Sequence, residues 1–277
     1  MSIYLDYNAS APIDERVLDV MVDVYKNVIG NPDSRTHDFG DKARNVVEAA
    51  RAQVASLLAV DKGEVFFTSG ATESDNIAIR GLIQYGIESG KKHVITTSIE
   101  HKAVLESVKS LKNEGFSVDI VDPGEDGRVS VDKITSLLRD DTLLVSVMHA
   151  NNETGVIQPV HELGEILSEK KVLFHVDATQ SCGKLVPELK SLKYDMLSFS
   201  GHKLRAPQGI GALILRKKRY KFPPVKAVMY GGQQERGIRP GTVPTALIAG
   251  LGKACELAQC EYEENIRNLK INKHRII

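Results

Sequence analysis

The residues that could do chemistry stand in five short clusters, each directly after an apolar run. They are Thr68-Ser69-Gly70-Ala71-Thr72-Glu73, Ile99-Glu100-His101, His149-Ala150-Asn151-Asn152-Glu153-Thr154-Gly155, Asp177-Ala178-Thr179-Gln180 and Ser200-Gly201-His202-Lys203. The first is a turn of small residues before a helical pattern. It aims backbone N–H groups and the Thr72 hydroxyl at one point, as an anion site requires. It is not a nucleotide P-loop, because the Gly-Lys-Ser/Thr ending is absent. Taken singly, each cluster has a plain reading. The turn could be a cap with a first-turn carboxylate, Asp177 a helix cap, His101 a half-buried histidine and Lys203 a solvated amine. The set asks for more. A phosphate cradle, an acid, a flat imidazole and a lysine are the parts that pyridoxal phosphate needs. The lysine would form a Schiff base, and the acid would keep the pyridine nitrogen protonated so that the ring accepts electrons.

These clusters need a scaffold that brings them together. Short apolar runs at Val65–Thr68, His93–Thr97, Ser117–Val121, Thr142–Met148, Val172–Val176, Asp195–Phe199 and Gly209–Leu215 read as strands. Helical periods lie between them, at Thr72–Ile87, Lys102–Asn113, Val131–Leu138 and Pro159–Glu169, where Pro159 suits a first turn. Near-continuous apolar strands alternating with helices predict a doubly wound α/β fold, a mostly parallel seven-stranded sheet. Ligands of such sheets bind beyond the carboxyl ends of the strands, where the clusters fall. Residues 14–28 and 41–58 read as two amphipathic helices before the first strand, and Val243 to Leu269 as one long helix near the end.

Composition sets outer limits. A chain of 277 residues suggests one large domain or two unequal ones. Lys plus Arg and Asp plus Glu both number 36, so charge gives no reason for direct nucleic-acid or membrane-surface binding. Three cysteines, Cys182, Cys255 and Cys260, are too few for a disulfide scaffold and lack zinc spacing. No metal site is expected, and a reducing, cytoplasmic setting is. The sequence shows no secretion signal and no apolar run of membrane-spanning length.

Longer stretches carry a family resemblance. They are Tyr4–Pro12, Gly30–Ser34, Phe67–Asn76, Glu100-His101, His149–Gly155, His175–Ser181, Ser198–Lys203 and Gly231–Thr242. In this order they resemble cysteine desulfurases of the NifS/IscS type, in the class V aminotransferase group of fold-type I pyridoxal-phosphate enzymes. The resemblance implies an aspartate-aminotransferase-like large domain and conversion of L-cysteine to L-alanine, with sulfur left on an enzyme cysteine as persulfide. It implies roles residue by residue. Lys203 resembles the Schiff-base lysine and proton shuttle, and His101 the imidazole stacked on the ring and placed for acid–base work. Asp177 resembles the pyridinium partner, Gln180 the donor to the phenolic oxygen, and Asn152 the amide near that oxygen and the substrate carboxylate. Ala71, Thr72, Ser200 and His202 resemble phosphate ligands, and Thr242 one donated across a homodimer interface. The partners implied are a sulfur-acceptor or iron–sulfur scaffold protein, for iron–sulfur assembly or tRNA thiolation.

The chain also departs from the pattern. The tract after the lysine is Arg205-Ala206-Pro207-Gln208-Gly209 where the family has Tyr-Gly-Pro-Lys-Gly, and Pro240 replaces the usual serine. Family members continue past residue 277, with most of a small domain, the arginine for the substrate carboxylate and a mobile loop bearing the nucleophilic cysteine. The expected division is therefore 1–14 belonging to the small domain, 15–255 binding the cofactor, and 256–277 leading toward a small domain mostly missing here. A separate C-terminal polypeptide could supply the remainder. None of the three cysteines matches the nucleophile's loop. A selenocysteine lyase or small-substrate aminotransferase of the same group, and a catalytically silent cofactor-binding protein, remain alternatives.

Overall fold

The computed structural model describes residues 3–276, with only the backbone described from 274 on. Two helices come first, α1 (Glu15–Asn27) and α2 (Asp38–Leu58). Next are β1 (Val65–Thr68), α3 (Ala71–Arg80), α4 (Ile83–Ser89), β2 (His93–Thr97), α5 (Lys102–Ser110) and β3 (Ser117–Val121). The middle of the chain forms α6 (Val131–Ser136), β4 (Thr142–Met148), α7 (Val160–Lys170), β5 (Leu173–Asp177) and α8 (Val186–Ser191). It closes with β6 (Met196–Ser200), β7 (Gly211–Leu215), α9 (Thr245–Cys260) and α10 (Tyr262–Ile276).

The seven strands form one sheet in the order β1-β7-β6-β5-β4-β2-β3. The pairs β6–β5, β5–β4, β4–β2 and β2–β3 are parallel. Strand β7 runs antiparallel to both β6 and β1. The doubly wound, mostly parallel sheet is thus as expected. The inserted β7 was not anticipated, and it matters because its start, not its end, faces the site.

Successive strand side chains point to opposite faces. Phe67, Val145 and Ile214 enter the core under α1, α2, α7 and α9, whereas their neighbours Phe66, Leu144 and Leu213 enter the core under α3 and α5. Burial of Phe66, Phe67, Phe174 and Phe199 stabilises the sheet by roughly 1.5–3 kcal/mol each.

Several helix boundaries differ from expectation. The predicted helix Thr72–Ile87 breaks between α3 and α4. A Cβ on Gly81 would lie 2.6 Å from Val225 Cγ1 and 2.7 Å from the Lys226 carbonyl oxygen. Glycine there lets the 225–226 loop pack down, and the Gly81 carbonyl accepts the Lys226 N–H (2.8 Å). The long helix Val243–Leu269 is instead α9 and α10, parted at Glu261, whose carboxylate pairs with Arg16. Helix α2 starts earlier, because His37 Nδ1 accepts the Gly40 N–H (3.1 Å) and Asp38 and Asp41 suit the first turn. Pro159 is the residue before α7 rather than in its first turn, and α5 tightens to a 3₁₀ turn at Leu111. Strands β5 and β6 run one residue later than expected, which brings Asp177 and Ser200 into the strand ends.

Candidate active site

A cavity of about 630 Å³ opens at the carboxyl ends of the parallel strands. Ala71, Thr72, His101, Asn152, Asp177, Gln180, Ser200, His202 and Lys203 all line it. Thr242 does not; it is exposed in the loop before α9.

The anion end is built from β1 and α3. No side chain caps α3, so its first N–H groups face the cavity. Gly70 leads into the helix at φ 154°, ψ 179°, a backbone shape for which only glycine is suited. A Cβ on Gly211 would come within 2.7 Å of Gly70 Cα, so β7 can lie beside this turn only with glycine there. Ser200 approaches from the end of β6 and His202 from the 3₁₀ turn 201–204 after it. His202 Nδ1 lies 3.2 Å from Ser10 Oγ, and burial and the neighbouring Lys203 charge lower its pKa. Glu73, expected as a first-turn carboxylate, stands inside this cradle with a partner that was not expected. Its Oε2 accepts the Ser69 N–H, and Arg239 Nε donates to its Oε1 (2.9 Å). Burial alone would push its carboxyl up; Arg239 and Ser69 outweigh that and lower it. Arg239 so ties the 231–242 tract to the start of α3.

The acid end is Asp177, the last residue of β5. Its Oδ1 accepts the Thr179 N–H (2.9 Å). Burial raises its pKa, while Thr179 and the charges of His101 and Lys203 oppose the rise. The buried Thr179 Oγ1 stands beside the Asp177 carboxyl and favours its charged form. His101 begins α5, where its Nδ1 accepts the Ala103 N–H (3.1 Å) and its ring stands at the cavity wall. Asn152 lies in the turn that Asn151 fixes by accepting the Glu153 and Thr154 N–H groups (both 2.9 Å).

Lys203 lies opposite. Its Nζ donates to the carbonyls of Asn8 and Ala9, the latter at 2.7 Å. Burial lowers its pKa, while Asp6 and Asp177 pull it back up. Gln180 donates to the same Asn8 carbonyl (3.0 Å) and accepts from Lys184 (3.2 Å). The N-terminal segment therefore forms a wall of the site. Sequence reading found its motif but gave Asp6 and Asn8 no role; it read Glu73 only as a first-turn carboxylate and gave Arg239 and Lys184 no role. The Ser69–Glu73 capping spacing was the one available signal for Glu73.

No cysteine and no arginine lines the cavity among the described residues. Cys182 and Cys255 are buried and unpaired, and burial pushes both thiols well up. Neither is a ready thiolate. Cys260 is exposed at the end of α9, outside the cavity. No group of metal-ligating side chains occurs among the described residues, and no described helix is long and apolar enough to cross a membrane.

The donor set suits a small ligand with an anionic phosphate at one end, a cationic ring nitrogen at the other and a carbonyl that an amine can reach. Known proteins agree with it. The family profile for aminotransferase class-V matches residues 3–276. A cysteine desulfurase IscS of Histophilus somni is 46% identical over 279 residues, covering 100% of this chain and 68% of the relative. A solved NifS-like protein superposes with a TM-score of 0.93 at 40% identity, over 99% of this chain and 74% of that one. SspA, solved in complex with cysteine, does so with a TM-score of 0.84 at 38% identity, over 96% of this chain and 78% of that one.

Proposed function

The chain belongs to the aminotransferase class-V family, among the cysteine desulfurases of the NifS/IscS type, and from that premise we propose that it binds pyridoxal 5'-phosphate and removes sulfur from L-cysteine. One observation carries the reading: the Lys203 amine, the Asp177 carboxyl and the uncapped start of α3 share one cavity at the strand ends. Bound there, the cofactor supplies an electron sink next to the substrate α-carbon. The protein's own groups do the rest. The N–H groups from Ala71, with Thr72, Ser200 and His202, hold the phosphate. Asp177 keeps the ring nitrogen protonated, and His101 covers the ring face. Gln180, whose Oε1 accepts from Lys184 and whose NH₂ donates to the Asn8 carbonyl, would turn that NH₂ to the phenolic oxygen, and Asn152 would serve the same oxygen and the substrate carboxylate. Lys203 Nζ takes and returns the α-proton. L-Cysteine as substrate is supported by the names of the relatives and by the cysteine complex of one structural neighbour.

The sulfur-accepting thiol and an arginine for the substrate carboxylate come, in this reading, from outside these 277 residues, either as further chain or as a second polypeptide. The two buried thiols and the absence of arginine from the cavity support that. The sulfur would pass to an acceptor or scaffold protein in a reducing, cytoplasmic setting, for iron–sulfur assembly or tRNA thiolation. Alanine and sulfide are to be followed from L-cysteine with these residues alone and then with the segment that aligns beyond them in the relatives. The expected result is no sustained turnover alone and turnover with the segment. Multiple turnovers by the chain alone, lost on mutating Cys182, would make Cys182 the nucleophile and overturn this reading.

The cofactor site is further proposed to be completed by Thr242 of a second copy. Its exposed position outside the cavity of the single chain is consistent with that. Sedimentation should find a dimer, and Thr242→Ala should weaken cofactor affinity by roughly tenfold, the worth of a charge-assisted hydrogen bond. A monomer with full affinity would rule this out.

A further inference from the structure

Behind Asp177 lies a group of buried acids that the proposed chemistry does not use. Asp75, on α3, is fully buried, and neither carboxyl oxygen has a hydrogen-bond partner. The Ser198 hydroxyl is near enough to favour its charged form, and His175 Nε2 lies 3.5 Å from its Oδ1. That ring is already engaged on both sides, with Ser146 Oγ 2.8 Å from Nδ1 and Ser198 Oγ 2.9 Å from Nε2. Burial lowers the His175 pKa to about 3, so it offers no positive charge to Asp75. Glu100, at the end of β2, is the third acid. Its Oε1 accepts from Thr97 Oγ1 (2.7 Å) and the Met148 N–H (2.8 Å), while its buried Oε2 has no partner. Burial raises its pKa to about 8.

A buried carboxylate without donors is costly, and three such charges side by side more so. The elements packed on α3 bring Asp75 no cation. β1 and β7 carry no titratable side chain, and β6 offers Ser198. β5 offers His175 and Asp177, and the charged residues of α5, Lys102, Glu106 and Lys109, are exposed on its far side. Arg80 sits at the other end of α3, on Ser110 and Glu114. Of the three acids, only Asp177 faces the Lys203 amine, which together with the Thr179 N–H favours its charged form.

We propose that Asp75 is a proton-holding positioning residue: a neutral carboxylic acid behind His175 that leaves Asp177 as the single carboxylate facing the cations of the site. Its functional meaning rests on the role given to Asp177 above, whereas its protonation does not. The sign of the pH effect follows from the direction of the shift. The folded state holds a proton that the unfolded chain releases near the ordinary aspartate pKa, so this group's contribution to stability falls as pH rises above that value. Burial is the largest cause, the like charges of Asp177 and Glu100 add to it, and the Ser198 hydroxyl opposes it without cancelling it.

The test is infrared spectroscopy of the full chain without cofactor, in a Glu100→Gln background that removes the competing acid. A protonated-carboxyl C=O band is expected at about pH 6, where an ordinary aspartate is ionised. Adding Asp75→Asn should remove that band and flatten the fall of thermal stability with rising pH. In Glu100→Gln/Asp177→Asn, where Asp75 is the last acid of the group, the band should persist at pH 6. Its loss at high pH should then move down by about one pH unit, because the like charge is gone. A missing band in either background, or an unmoved midpoint, would overturn the proposal, and this arm decides even if Asp75→Asn does not fold. Borohydride trapping of the cofactor on the wild-type chain reports separately on the functional reading.

Discussion

Asp177→Asn is expected to keep pyridoxal phosphate bound while slowing exchange of the substrate α-proton by roughly 10²-fold or more, about 2.7 kcal/mol of lost stabilisation. An asparagine amide can still hydrogen-bond to the ring nitrogen. It cannot hold a proton there, because it carries no negative charge to favour the cationic form. The backbone should not move, since Oδ1 accepts from Thr179 and an amide oxygen accepts equally well. The effect belongs in the chemical step and not in cofactor affinity, because the phosphate end is built from other elements, β1, α3 and the turn after β6. Deuterium uptake at the α-carbon, measured beside a cofactor titration, separates the two. Wild-type exchange in this variant would remove Asp177 from its role.

The second large effect is on stability and comes from a buried pair far apart in sequence. Arg51 of α2 donates to Glu235 through Nη1 (2.9 Å) and Nη2 (2.7 Å), and its Nη1 also reaches the Val65 carbonyl (2.8 Å). Glu235 accepts the Phe67 N–H as well (2.8 Å). The two side chains are only 7% and 3% exposed. This fork pins the 234–237 turn to β1 just before the phosphate cradle, in a turn where Glu235 and Arg236 take left-handed backbone angles (φ 45° and 56°). Glu235→Gln removes the buried one of the two carboxylates on the guanidinium, leaving only the more exposed Glu48 on Nε (3.0 Å), and should cost about 3 kcal/mol. Arg51→Met should cost a similar amount by stranding the carboxylate. The double variant Arg51→Met/Glu235→Leu should recover a large part, since removing both charges removes the unpaired one. Denaturant unfolding of the four proteins measures this. Additive losses would show that the two side chains stabilise the fold separately.

Much of the site was legible because its parts are local. Each functional side chain follows an apolar strand within a few residues, and parallel strands put those positions at one edge whatever their lateral order. The strand order itself was not legible. Nothing in Gly211–Leu215 distinguishes an inserted antiparallel strand from another parallel one, since both are buried on two faces. The breaks at Gly81 and Glu261 were also hidden. The first depends on a loop at Val225–Lys226, and the second on a partner, Arg16, at the opposite end of the chain. Arg239 on Glu73, Arg51 on Glu235 and the Asn8 and Ala9 carbonyls on Lys203 share that character. Each joins segments more than 160 residues apart, where spacing in the sequence carries no information.

The central claim is that Lys203 is the amine that meets the cofactor. It is tested most directly by adding pyridoxal phosphate to the chain, reducing with borohydride and mapping the modified peptide. The account predicts a single adduct on Lys203, 26 residues after Asp177, and none in Lys203→Ala. Lys184 is the control within the same experiment, because its amine lies 3.2 Å from Gln180 Oε1 beside the site and burial lowers its pKa too. An adduct on Lys184 or another lysine in the wild-type chain, or no adduct at saturating cofactor, would contradict the account.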